Sequence, residues 1–172
     1  MENKITSHIT KGTIIVLITS VIDLIGGFAH VKFETWFKWI PTIVLFAGII
    51  WACINFGNQS NHNVTFGNVF AHGFKTSAVV ACLGLIYTLL SMYLIFPETK
   101  ELALQQAREQ MESGGKLTQE QIDAGIEVTK KLFLPIAIAG VILGTLFVGL
   151  IASLIGAAAT KKNPVTPFDN KP

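Results

Sequence analysis

A single acidic residue interrupts the first long apolar run of this sequence. Asp23 lies in the middle of residues 12–31, which carry no other charge, and Thr19 and Ser20 precede it by about one helical turn. An ionised group at the centre of a bilayer costs roughly 2.5–3.5 kcal/mol, so such residues often serve ions, protons or neighbouring helices. Asp23 is therefore either a cation or proton site or a hydrogen-bonded carboxyl that joins helices. No basic residue of the sequence lies deep enough in the membrane to be an obvious partner of Asp23.

A second polar group stands at the start of the third apolar run. His72 and Lys75 are separated by one helical turn there. At a membrane interface, amphipathic side chains of this kind commonly extend their polar ends towards water. The other interpretation makes the pair part of a polar relay, so both residues are interface candidates.

Small residues recur along the last apolar run, at Gly140, Gly144, Gly149, Ser153 and Gly156. In a bilayer, small residues allow helix backbones to approach closely, and a Gly-x-x-x-Gly spacing is typical of such contacts. The ridge predicts close packing within the chain's own bundle. The alternative is contact with a second copy or with a partner subunit.

Signatures of catalysis, metal binding and nucleic-acid binding are absent from the sequence. It contains no Gly-rich phosphate loop, no Gly-x-Ser-x-Gly and no His-Glu-x-x-His. The four histidines and two cysteines do not have the spacing of a metal site. A net charge of +2 without interleaved aromatic and basic residues gives no nucleic-acid surface. We expect no enzymatic activity, no catalytic residues, no cofactor, no metal and no nucleic-acid partner.

Four uncharged or nearly uncharged stretches must position these residues. Charged residues make up 14% of the chain, against about 25% in soluble domains. About 20 helical residues cross a bilayer core of about 30 Å, and a segment surrounded by lipid must satisfy its own backbone hydrogen bonds. The sequence therefore predicts an all-α polytopic membrane protein, a four-transmembrane-helix bundle with spans at about 12–31, 37–56, 72–96 and 132–159. Residues 1–160 form one domain, followed by a disordered tail at 161–172.

A polar segment at 97–131 separates the third and fourth spans. Helix formers fill its first half, and Ser113-Gly114-Gly115 interrupts them. Thr118 and Gln121 then form a capping box that starts a second helix. This pattern predicts a water-exposed helical hairpin.

The sidedness of the chain depends on its charges. Four spans place both termini on one face of the membrane and the hairpin on the other. Counts of Lys and Arg are nearly equal on the two sides, but acidic residues concentrate on the hairpin side and Lys161-Lys162 directly follow the last span. We predict that both termini are cytoplasmic.

The order of motifs along the chain is similar to that of a known family. Phe66-Gly67-Asn68 leads into the third span, Phe96-Pro97 ends it, and Thr118-Gln119-Glu120-Gln121-Ile122 restarts the chain before a Gly-rich last span. In these features the chain resembles the Bacteroidota membrane family called domain of unknown function 4199, over about residues 8–162. The resemblance implies a bacterial inner-membrane location and brings no established activity or catalytic residues.

Three functions are compatible with these features. The first is a non-enzymatic accessory or scaffold subunit of a membrane assembly, which contacts the lipid bilayer and a membrane protein partner or a second copy of itself. The second is a small transporter or ion-conducting protein that uses Asp23. Because one chain's four helices can hardly enclose a substrate path, this alternative predicts a homo-oligomer. The third is a regulator of a membrane enzyme.

Overall fold

The structure is a computed structural model that describes residues 5–32, 34–115 and 117–163. Within these ranges the regular secondary structure is helical. No strand occurs in these ranges. A π-helical turn, Ser91–Ile95, extends the third helix. The helices are α1 (His8–Phe28), α2 (Trp39–Gln59), α3 (Phe66–Leu90), α4 (Thr99–Ser113), α5 (Gln119–Lys131) and α6 (Phe133–Ala159).

Four of these helices are long and apolar enough to cross a membrane: α1, α2, α3 with its π-helical extension, and α6. The shortest has 21 residues, which span about 32 Å at the α-helical rise and match the hydrocarbon core of a bilayer. Their outward faces carry large apolar side chains such as Leu17, Ile43 and Leu143. The predicted four-span, all-α architecture is confirmed, and the chain is a multi-pass membrane protein in contact with lipid.

The ends of α1 and α3 differ most from the predicted boundaries. α1 begins at His8 rather than at about residue 12, because the Ser7 side chain accepts a hydrogen bond from the backbone N–H of Thr10 and caps the helix. It ends at Phe28 rather than at residue 31. His30, two residues later, adopts a left-handed backbone conformation with φ 56°, which a continuing right-handed helix does not allow. α3 begins at Phe66, since Thr65 caps it by accepting from Asn68 N–H. The caps therefore lengthen both helices at their N-terminal ends.

The bundle core forms around α3, which packs against α1, α2 and α6. A layer of buried apolar side chains crosses the middle of the bundle and is called the apolar layer below. It holds one or more residues from each of the four membrane-spanning helices: Ile15, Val16, Ile49, Val80 and Ala152.

Small residues bring α6 against its neighbours over its second half. A Cβ added at Gly149 would overlap Ser77 of α3, and one at Gly156 would lie 2.8 Å from Cβ of Cys53. Ser153 packs at Gly73 on α3. Gly140 and Gly144 differ, because a Cβ at either position would have no neighbour within 4 Å. The predicted packing of the ridge within the bundle therefore does not hold at these two glycines, since α6 diverges from its neighbours there.

The predicted helical hairpin is formed by α4 and α5. Ile122 of α5 is 2% exposed, and the Met111 sulfur lies 3.5 Å from the position of a Cβ on Gly125. Arg108 joins the arms through an ion pair with Asp123. The capping box of Thr118 and Gln121 is present, so this part of the prediction is confirmed.

The predicted disordered tail, 161–172, falls mainly outside the described residues, at 164–172. Two of the three residues that precede this range contact the connection between α2 and α3. Asn163 N–H donates to the His62 carbonyl at 2.8 Å, and a His62 ring nitrogen lies 3.2 Å from the Lys161 carbonyl.

Candidate functional site

Asp23 is the centre of a hydrogen-bonded group that we call the Asp23 cluster: Asp23, Lys32, Tyr87 and Ser91. The Lys32 ammonium lies 2.9 Å from a carboxylate oxygen of Asp23, and the Tyr87 hydroxyl donates to the same carboxylate at 2.9 Å. The Ser91 hydroxyl lies 3.5 Å from it. The side chains of Lys32 and Asp23 are 22% and 23% exposed, so the ion pair is largely shielded. The cluster joins α1 to α3 and to the connection that follows α1.

Lys32 reaches Asp23 because the chain reverses directly after α1. The N–H groups of Val31 and Lys32 both donate to the carbonyl of Gly26, each at 3.0 Å. This turn returns the backbone of Lys32 to the level of Gly26, so its side chain extends back along α1. The expectation that no basic residue reaches Asp23 is therefore wrong. Asp23 also lies near the end of α1 rather than at its middle, because α1 ends at Phe28.

A cavity of about 370 Å³ adjoins the Asp23 cluster, and we call it the central cavity. All four membrane-spanning helices line it. Its polar lining comes from the Asp23 carboxylate, the Tyr87 phenol and the hydroxyls of four threonines and one serine; these residues are Thr19, Ser20, Thr42, Thr88 and Thr145. Three glycines that lack close neighbours, Gly84, Gly140 and Gly144, also line it, beside one proline, one leucine and three valines. The open space beside Gly140 and Gly144 is thus part of this cavity.

A second polar group, the amine cluster, lies at the other end of the bundle and comprises Lys11, Phe56 and His72. Lys11 is fully buried, and its ammonium donates to the carbonyl of Ala52 at 3.3 Å and lies 3.4 Å from His72 Nε2. The His72 ring stacks on Phe56 with centroids 4.2 Å apart, and the Lys11 ammonium lies 5.9 Å from the Phe56 centroid. The cluster therefore surrounds a buried cation with a carbonyl, an imidazole and an aromatic ring, which can stabilise it.

The apolar layer separates the amine cluster from the central cavity. Lys11 and Asp23 belong to the same helix and lie about 18 Å apart along its axis at the α-helical rise. Ile15 and Val16 lie between them, about one turn after Lys11, and are 2% and 7% exposed. The two polar regions are thus distinct sites in this structure.

The remaining predicted site residues have different surroundings. Thr19 donates its hydroxyl to the carbonyl of Ile15 at 3.0 Å, and the Ser20 carbonyl accepts from the Tyr87 hydroxyl at 3.2 Å. His72 faces the bundle interior, whereas Lys75, less than one turn later, is exposed. His72 and Lys75 therefore do not form one interface group, because His72 is buried against Lys11 while Lys75 is exposed at the surface of α3.

Sequence reasoning missed several members of these groups, among them Lys11, Lys32 and Tyr87. One signal in the sequence could have identified Lys11: Ser7 is a favourable N-cap residue, and a helix that starts after it contains Lys11 in its first turn.

Within the described residues, no group of three or more His, Cys, Asp or Glu side chains could hold a metal ion.

Comparison with known proteins gives one family. The family model described as "Protein of unknown function (DUF4199)" matches residues 10–162. No curated protein and no solved structure matches this chain.

Proposed function

This chain belongs to the DUF4199 family, and on that premise we propose that it is a non-enzymatic accessory or scaffold subunit of a bacterial inner-membrane assembly. In this proposal both termini are cytoplasmic and the hairpin of α4 and α5 lies on the opposite face. The acidic hairpin and the Lys161-Lys162 pair after α6 support this orientation.

The construction of the hairpin is the observation that carries the proposal. Its two arms pack on each other through Ile122, Met111 and the ion pair between Arg108 and Asp123. The exposed face near its tip carries acidic side chains, among them Glu109 and Glu120. A charged surface on two mutually braced helices can select a partner of opposite charge.

The contacts of the intramembrane charges also support a scaffold. Asp23 is bound by Lys32 and Tyr87, and Lys11 by the carbonyl of Ala52. Each of these contacts joins α1 to another part of the bundle. The charges thereby hold α1 against α2 and against α3, the helix from which the hairpin begins, and such a fixed bundle is what a scaffold requires.

Charge reversal at the hairpin tip tests the proposal. We expect E109K/E120K to recover at least about tenfold less partner in affinity purification from mild detergent than the wild-type chain, because like charges at an interface are repulsive. E34K is the matched control, since Glu34 is an exposed acidic residue on the same membrane side but outside the hairpin. Equal recovery by wild type and E109K/E120K, or absence of a stoichiometric partner in wild type, would contradict the proposal.

A transport function is the second candidate, and the central cavity favours it. Its volume of about 370 Å³ falls in the range of about 300–1,000 Å³ that is usual for small-molecule sites. Asp23 lies in its wall, and the buried Lys11 lies beyond the apolar layer. As a transporter, the chain would form a homo-oligomer and would need Asp23 for flux.

A further inference from the structure

A pocket of about 240 Å³ lies at the base of the hairpin, where α3 leaves the membrane and α6 enters it. We call it the root pocket. The end of α3, the start of α4, the end of α5 and the start of α6 contribute its walls, through Met92, Tyr93, Pro97, Lys100, Lys130, Lys131, Phe133 and Leu134. We propose that the root pocket binds the headgroup of an anionic phospholipid.

The charges of the root pocket are of one sign. Lys100, Lys130 and Lys131 come from two helices and converge on the pocket, and every charged residue in its lining is a lysine. Glu127 neutralises one of them through an ion pair with Lys131 at 2.7 Å. Glu98, which precedes α4, lines a different pocket that contains Lys32. The root pocket therefore retains an excess of positive charge that attracts an anion.

The apolar side of the root pocket specifies a lipid rather than a free anion. Phe133 and Leu134 are the first residues of a membrane-spanning helix, so they lie at the level where acyl chains begin. The Lys100 ammonium lies 5.9 Å from the centroid of the Phe133 ring, so cationic and apolar walls are adjacent. Tyr93, 62% exposed, has the amphipathic character of residues that prefer the headgroup region. A ligand that satisfies both walls has an anionic head joined to an apolar tail, as phosphatidylglycerol does.

Because Lys100 and Lys130 both line the root pocket, removal of their charges tests the proposal. Each lysine near a membrane surface contributes about a fivefold gain in affinity for anionic lipid, so K100Q/K130Q should bind phosphatidylglycerol about 25-fold more weakly than wild type. The measurement is lipid titration of the purified chain in nonionic detergent, followed by native mass spectrometry. K75Q/K161Q is the matched control, because it removes two exposed lysines from the other face of the membrane, and it should bind as wild type does.

A second variant should change the affinity in the opposite direction. E127Q removes the carboxylate that pairs with Lys131 and exposes a third ammonium to the ligand, so we expect phosphatidylglycerol to bind about fivefold more tightly. A change that merely disturbed the hairpin would weaken binding instead. Phosphatidylcholine, whose headgroup has no net charge, should bind weakly to all forms.

Three results would overturn the proposal. One is equal phosphatidylglycerol affinity in wild type and a K100Q/K130Q variant whose melting temperature is unchanged. Another is equal binding of phosphatidylcholine and phosphatidylglycerol by the wild-type chain. The third is binding of inorganic phosphate as tight as that of phosphatidylglycerol, which would make the pocket a site for free anions. A selective loss in K100Q/K130Q together with a gain in E127Q would support a lipid headgroup site.

Discussion

Replacing Gly149 with leucine should destabilise the bundle by about 3 kcal/mol, at the upper end of the usual effect of overpacking. A Cβ at Gly149 would overlap the Cβ and hydroxyl of Ser77 on α3, and Ile49 of α2 lies 3.5 Å away on another side. Ser77 is fully buried, so it has no free space into which it can move. The two helices would have to separate, and the contact between α3 and α6 would be lost along much of their length.

The same substitution at Gly144 provides the matched control for Gly149→Leu. Both glycines belong to α6, but a Cβ on Gly144 has no neighbour within 4 Å because it faces the central cavity. Thermal unfolding in detergent should show a large loss of stability for Gly149→Leu and a small change for Gly144→Leu. Equal melting temperatures for the two variants would contradict the assigned packing of α6.

Replacing Asp23 with alanine should cost about 2 kcal/mol, the second large effect that we expect. Loss of one partner from a fully buried ion pair costs about 3–5 kcal/mol, but the Lys32 and Asp23 side chains are 22% and 23% exposed, so we discount this value for screening by solvent. The Tyr87 hydroxyl would also lose its carboxylate acceptor. A double-mutant cycle of Asp23→Ala with Lys32→Ala should show a coupling of about 1–2 kcal/mol.

The matched control for the ion pair is Lys38→Ala. Lys38 belongs to the same connection and donates to Gln106 on the exposed hairpin, so its coupling to Asp23 should be close to zero. Additive effects of Asp23→Ala and Lys32→Ala would show that the pair does not hold the helices together.

Asp23 also distinguishes the two candidate functions. In the scaffold proposal, Asp23→Asn changes stability while partner binding persists in the folded fraction. In the transport alternative, reconstituted wild-type protein conducts a substrate or ion in proteoliposomes, and Asp23→Asn decreases this flux. Flux that is unchanged in Asp23→Asn would exclude Asp23 as the transport site.

Local sequence patterns were sufficient to predict the four spans and the hairpin. A bilayer requires long apolar helices, and that requirement is visible in any window of about 20 residues. The restart of the hairpin at Thr118 was equally predictable, because a capping box involves residues only three positions apart. These features depend on residues that are close to one another in the sequence.

The partners of the intramembrane charges could not be predicted in the same way. Lys32 meets Asp23 only because the backbone reverses after Phe28 and bonds to Gly26, and the sequence gives no geometry for that turn. The predicted first span begins at about residue 12 and so leaves Lys11 outside it, whereas the Ser7 cap places Lys11 inside α1 on the face that meets His72.

The glycine ridge of the last span presents a related difficulty for prediction. Gly144 and Gly149 are both small residues in one apolar run, and the sequence does not distinguish the glycine that meets Ser77 from the one that faces the central cavity. That difference depends on where α6 diverges from the other helices. Three-dimensional packing alone decides it.

The most direct test of the four-span architecture is the labelling of single cysteines by a membrane-impermeant maleimide in oriented vesicles. In a background of C53A/C82A, N61C would report on the connection between α2 and α3, Q110C on the hairpin, and L143C on a surface that faces lipid, where Leu143 is 66% exposed. We predict that Q110C reacts in right-side-out vesicles and N61C only in inverted ones, while L143C reacts in neither. Reaction of N61C and Q110C from the same face of the membrane, or rapid reaction of L143C, would contradict the architecture.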